Sequence, residues 1–208
     1  MADFEVKIDL SNVDRILKET EQAQKLQLKV GIDESRTYDN GTPVSDVATY
    51  LEYGWTQTAT WKQRSWILAH SGVDIKRGTL SMPPRPIFRF TAQTCKGKWQ
   101  KAGSRLLKNF TLNPFAVVFR CYQILGQMAV DDLKITVNTN GKGTFKPRSD
   151  LTLLIYGEDL EKHQPKGDSE KLRKRNISKK NTSNTRKALV HSTKLLNSFA
   201  FEILDGEE

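Results

Sequence analysis

The chain has 208 residues, 37% of them hydrophobic, and its 33 Lys and Arg outnumber 24 Asp and Glu for a formal net charge of +9. That length suits one domain with a sizeable core, and a mean hydropathy of −0.57 adds long exposed loops to it. No stretch reaches the roughly 20 apolar residues of a membrane helix, the start lacks a signal-peptide pattern, and Cys95 and Cys121 form no CxxC pair, so membrane-spanning, secreted and disulfide-stapled classes are excluded and cytoplasmic assembly is expected.

Positions 4–10 alternate Phe4, Val6, Ile8 and Leu10 with charged residues, the two-residue period of a strand with one buried face. Ser11 and Asp14 make an S-x-x-D start, and Val13, Ile16 and Leu17 continue an amphipathic helix to about Lys25. Leu26, Leu28, Val30 and Ile32 alternate again, so strand, helix and strand precede a turn-rich loop at 33–41. Thr42 is expected to cap a helix with Pro43 at its first position. Val44, Val47, Ala48 and Leu51 share one face of that helix, and Gly54 ends it. Over 55–82 periodicity is lost while Trp55, Trp61 and Trp66 stand among Lys and Arg, which predicts an inserted loop anchored by aromatics.

Pro83, Pro84 and Pro86 around Arg85 lead into the clearest helix, where Phe88, Ala92, Cys95, Trp99, Ala102, Leu106 and Phe110 recur at gaps of three and four. Lys98, Lys101, Arg105 and Lys108 recur on the same helix roughly 125° away from that stripe, predicting a core face and a cationic ridge. Asn113-Pro114 starts a second long helix through Phe115, Val118, Tyr122, Leu125 and Ala129, with Val117, Cys121, Ile124 and Met128 widening its buried face. Asn140-Gly141-Lys142-Gly143 marks a turn, 150–156 reads as a helical turn or a strand, and 158–187, charged and free of aromatics, predicts a mobile arm. Helical spacing returns at 189–199, and Phe199, Phe201 and Ile203 predict a closing strand. The elements add up to an α+β fold in one domain over 1–208: a small, mainly antiparallel sheet packed by two long helices, with a long aromatic-bearing insertion at 55–82 and a basic loop or arm at 158–188.

Charge is segregated along the chain. No acidic residue stands between Asp74 and Asp131, a stretch holding ten Lys and Arg, and 162–187 carries ten more against two acids, leaving the remainder net negative. Separated patches of opposite sign suit association with other copies, with a differently charged neighbour or with nucleic acid. Chemistry is harder to find. His70, His163 and His191 fit no metal-ligand spacing, and Gly141-Lys142-Gly143-Thr144 lacks the first glycine of a phosphate loop. His191 beside Ser192 diverges by roughly 100° on a helix, and Asp132-Leu133-Lys134 has no upstream carboxylate to complete a nuclease metal site, so Asp132 and Lys134 are expected on an exposed helix end. No enzyme activity, metal or cofactor is expected.

Three stretches resemble the head-tail joining and tail-completion family of long-tailed bacteriophages, itself similar to phage virion morphogenesis proteins. K-V-G-I at 29–32 followed by V-S-D-V-A-T-Y-L-E-Y-G at 44–54 is similar to that family's strand and "VAxxxEFG" helix. M-P-P-R-P-I-F-R at 82–89 resembles its "IPARPFLR" lead-in, and A-L-V-H-S-T-K-L-L-N-S-F-A-F-E-I at 188–203 resembles its closing "PLIDTGxLxxSIxYEV". Thr193 replaces the usual glycine, and the insertions at 55–81 and in the Lys-rich block are longer than the family pattern.

The resemblance implies a virion protein of the tail or neck, a tail terminator forming a ring of six copies that caps the tail tube and joins it to the head connector. Its implied partners are further copies of itself, the tail tube protein, the head-side connector or stopper, the sheath protein, and genomic DNA passing through the lumen, with no membrane. The motif positions Gly31, Glu52, Gly54, Pro84, Arg85, Pro86, Leu195 and Ser198 are scaffold. Candidate contacts to partners or DNA are Trp55, Trp61 and Trp66, the ridge Lys98, Lys101, Arg105 and Lys108, and Arg173, Lys174, Arg175, Lys179 and Lys180 in the basic block. For the ridge a solvated helix face leads over interface and DNA; for the tryptophans interface anchoring leads over local packing and base stacking. A non-specific nucleic-acid-binding protein of phage or mobile-element origin is the alternative.

Overall fold

The computed structural model describes residues 11–75, 78–108, 113–147, 149, 151–152 and 193–206; the strand expected at 4–10 and the basic block lie outside them. In chain order the elements are α1 (Ser11–Lys25), β1 (Leu26–Ile32), α2 (Val44–Tyr53), β2 (Trp55–Thr58), α3 (Trp61–Ser71), β3 (Thr79–Met82), α4 (Ile87–Leu107), α5 (Pro114–Asn138), α6 (Thr193–Asn197) and β4 (Phe199–Asp205). They form an α+β fold with two antiparallel two-stranded sheets, β1 with β4 and β2 with β3. The chain divides into two compact units, one holding α1, β1, Thr94–Asp132 and β4, the other Asp33–Gln93 and Leu133–Ser198.

In the first unit, β1 and β4 place Leu28 opposite Ile203, Val30 opposite Phe201 and Ile32 opposite Phe199. Each pair shares one face of the sheet, the arrangement that makes alternation favourable in a two-stranded ribbon. Phe201 lies against α5 at Gly126, where an added Cβ would come within 2.4 Å of its ring. The bare backbone at 126 is therefore what admits the aromatic of β4, a close approach invisible in the helix period.

In the second unit, Val44, Ile87 and Val137 from α2, α4 and α5 are each 0% exposed and form the centre of the core. The start of α2 differs from expectation. Pro43, extended at φ −59° and ψ 139°, is the N-cap and makes no side-chain cap bond. Thr42 is held back in the preceding turn, its amide donating to the Asn40 side chain at 3.1 Å and its carbonyl accepting from Tyr38 at 2.8 Å.

The insertion at 55–82 carries two strands and a helix among its described residues, where the loss of periodicity predicted a loop. β2 and β3 pair from Trp55 opposite Met82 to Thr58 opposite Thr79, and α3 lies between them in sequence. Only Ile67 and Ser71 of α3 are buried, so no apolar stripe marks it. End signals specify it instead: the Gln63 amide donates to the Thr60 hydroxyl, the Thr60 amide donates to the Gln63 side chain, and Gly72 closes the helix at φ 72°.

On α4 the buried residues at its start are Ile87 and Thr91, while Ala92, expected in the core, is exposed. Thr91 satisfies itself by donating to the Ile87 carbonyl at 2.7 Å and by hydrogen-bonding the Thr136 hydroxyl at 2.7 Å. On α5, Cys121, Ala129, Val130, Leu133 and Val137 are buried, whereas Ile124 is exposed. The Asn113 side chain accepts from the Ala116 amide at 3.0 Å at the start of α5. After α5 the chain turns through residues 140–143, all at positive φ, and sets Phe145 edge-on against Phe90 at 5.4 Å.

Candidate functional site

The last turn of α2 carries Glu52, which is only 5% exposed. Its carboxylate accepts from the Phe88 amide at 3.0 Å, the Arg89 amide at 3.2 Å and the Arg89 Nε at 2.9 Å. Those amides belong to the first turn of α4, where N–H groups have no partner within the helix and the dipole favours an anion. Glu52 thus caps α4 from another helix. Arg89 closes the arrangement by donating to the Glu52 carbonyl at 3.0 Å and lying 5.1 Å over the Tyr53 ring.

Gly54 follows at φ 71° and ψ 172°, its amide donating to the Tyr50 carbonyl at 2.8 Å. An added Cβ there would stand 2.7 Å from the Met82 carbonyl oxygen and 2.8 Å from the Pro84 nitrogen. Arg85, 6% exposed, donates its amide to Leu51 at 2.6 Å and its Nε to the Lys146 carbonyl at 3.1 Å. Pro86 accepts from the Phe90 amide at 2.9 Å within the same turn. Glu52 and Gly54 on one side of β2, α3 and β3 in sequence, and Pro84, Arg85 and Pro86 on the other, therefore meet at one junction.

Leu195 and Ser198 are buried in the same unit, where α6 packs on α2. The Ser198 hydroxyl donates to Lys194 at 2.6 Å, and its carbonyl accepts from the Asp33 amide at 2.8 Å. Gly31 differs from the other motif positions: it pairs with Ala200 in the sheet of the first unit and has open space where a Cβ would go.

Beside the junction lies an open groove of about 1320 Å³ formed by β2, β3, α3 and residues 146–147, 149 and 151–152. Trp55 and Trp66 line it and Trp61 does not, standing 71% exposed on α3. Trp66 stacks on His70 at 4.2 Å, so one ring face is occupied by its own helix. Among the described lining residues the charged ones are Lys62, Arg85 and Lys146, with no Asp or Glu.

The expected ridge divides. Lys101 and Arg105 on α4 and Lys108 just beyond its end are exposed, but Lys98 reaches Asp132 of α5, its Nζ 2.7 and 3.0 Å from the two carboxylate oxygens. Trp99 Nε1 donates to the same carboxylate at 2.8 Å. Asp132 is 6% exposed in the middle of α5, not on an exposed helix end, because α4 supplies both a cation and an indole donor for it. Asp132→Asn is expected to cost about 2 kcal/mol by leaving Lys98 without its charge partner. Urea unfolding followed by tryptophan fluorescence measures this, and an unchanged midpoint refutes the assignment.

Arg173, Lys174, Arg175, Lys179 and Lys180 lie outside the described residues, as do His163, His191 and Ser192. Among the described residues no three His, Cys, Asp or Glu gather in a cluster fit for a metal ion, and no helix is long and apolar enough to cross a membrane. Both cysteines are free, and burial pushes the Cys121 thiol above its usual value, away from thiolate chemistry. The Asp33 carboxyl is held below its ordinary value, first by the Ser35 hydroxyl and then by the Ser35 amide, with Arg36 adding to the effect. The chain matches no protein-family model, no curated protein and no solved structure.

Proposed function

We propose that this chain is a structural joint of a tailed bacteriophage virion, a tail terminator that assembles as a ring of six copies between the tail tube and the head connector. The observation that supports the reading most is the junction at the start of α4. There a buried glutamate from the first motif holds the helix led in by the second, and Gly54 fits beneath Met82 and Pro84. The third motif contributes Leu195 and Ser198 to the same unit. Glu52, Gly54, Arg85, Leu195 and Ser198 are thus committed to internal contacts, as scaffold positions are, and leave outer surfaces to neighbours.

In this reading the self-contacts of the ring are heterologous and draw on the chain's separated charge patches. The tail tube protein, the head-side connector or stopper and the sheath protein are its neighbours in the particle. The test is electron microscopy of the purified protein, alone and on tail tubes, with particles assembled in its absence. Discrete rings, and tails that fail to join heads without the protein, are expected. A small non-ring species that binds duplex DNA with steeply salt-dependent affinity replaces this reading by the nucleic-acid-binding alternative.

A further inference from the structure

The groove beside β3 is larger than the roughly 300–1,000 Å³ of a small-molecule site, at about 1320 Å³ and open along one side. Successive residues from Leu80 to Arg85 all line it. On a sheet face only alternate residues would do so, so the groove tracks the backbone of β3 and its continuation into the proline turn. β3 pairs with β2 alone among the described strands, so its other edge takes no strand among them. The walls are apolar, from Leu51, Ile67, Leu80 and Met82, and Lys62 and Lys146 stand exposed beside them.

We propose that this groove docks an extended acidic segment of a partner protein, with apolar side chains along the walls and carboxylates on Lys62 and Lys146. Charge decides the chemistry: among the described lining residues Lys62 and Lys146 stand exposed and there is no Asp or Glu, while the buried Arg85 donates its Nε to the Lys146 carbonyl. Extended peptides recognise such places by main-chain pairing to a strand edge and by pockets for alternate side chains. Nucleic acid fits less well. A phosphate backbone calls for a row of cations and free aromatic faces, whereas among the eighteen described lining residues three are cationic, and one face of Trp66 already stacks on His70. The inference stands apart from ring assembly, so each can fail alone.

The experiment selects binders to the full chain from a random peptide library and measures affinity through tryptophan fluorescence. Enriched peptides are expected to interleave Asp or Glu with aliphatic and aromatic residues. Lys62→Glu with Lys146→Glu is expected to weaken them roughly tenfold, two exposed charge pairs lost, while thermal unfolding stays as in the parent. Should that pair of reversals unfold the protein, Lys62→Gln with Lys146→Gln serves with a smaller expected loss. No enrichment, enrichment of basic or uncharged peptides, or equal binding by the variant overturns the proposal. Tighter, competing binding of oligothymidylate overturns it in favour of nucleic acid.

Discussion

Glu52→Ala is expected to destabilise the protein by about 3 kcal/mol, the range for removing one partner of a buried, charged hydrogen-bond set. The carboxylate is 5% exposed and receives two backbone amides of α4 and the Arg89 Nε. Truncation leaves those amides facing a space that water enters poorly, and it deprives Arg89 of its partner. The guanidinium is 57% exposed at its side chain, so solvent recovers part of its share and most of the loss comes from the helix start. Glu52→Gln should cost less, about 1.5 kcal/mol, because one carboxamide oxygen still accepts an amide while the negative charge at the helix N-terminus is gone. Urea unfolding reads both, with the exposed Glu21→Gln as a control expected to shift little. If Glu52→Ala unfolds at the wild-type midpoint, α4 does not depend on this cap.

Gly54→Ala is expected to be as damaging, at about 3 kcal/mol or more. Its φ of 71° and ψ of 172° fall in a region that only glycine occupies readily. The clash adds to the backbone strain, since the nearest atoms are the Met82 carbonyl and the Pro84 nitrogen, parts of the main chain with no rotamer to change. Gly31→Ala, in the same resemblance motif, carries the opposite expectation. That residue sits in a strand with nothing within 4 Å of its Cβ position, so its replacement should be neutral or slightly stabilising. Thermal unfolding of the two variants side by side checks the contrast, and equal effects would falsify the steric account.

Periodic stretches were legible in the residues themselves. α1, β1, α5 and β4 were readable because strand and helix periods of two and 3.6 are properties of consecutive side chains, and the α+β class followed from them. The helix α3 was instead expected to be part of an inserted loop: its apolar residues point several ways, so a search for stripes passes over it, and its only local mark is the end signal of Thr60 and Gln63. The motif residues Glu52, Gly54 and Arg85 could be singled out without coordinates, although their roles could not. A glutamate thirty-six positions before an amide announces no cap, and that distance closes only when the end of α2 meets the start of α4.

The same limit explains Ala92 and Lys98. A helical wheel identifies neighbouring stripes of small and long side chains, yet Thr91 and Ala92 lie roughly 100° apart on it, and the packing partner chooses which is buried. Thr136 chooses Thr91 by offering its hydroxyl. Asp132 likewise turns Lys98 from a member of an exposed ridge into half of an ion pair across two helices. The sequence by itself determined the periodic elements and the separation of charge, since both are sums over near neighbours. Only the tertiary structure decided which polar groups are buried, capped or left to solvent, because each depends on a partner that folding brings from far along the chain.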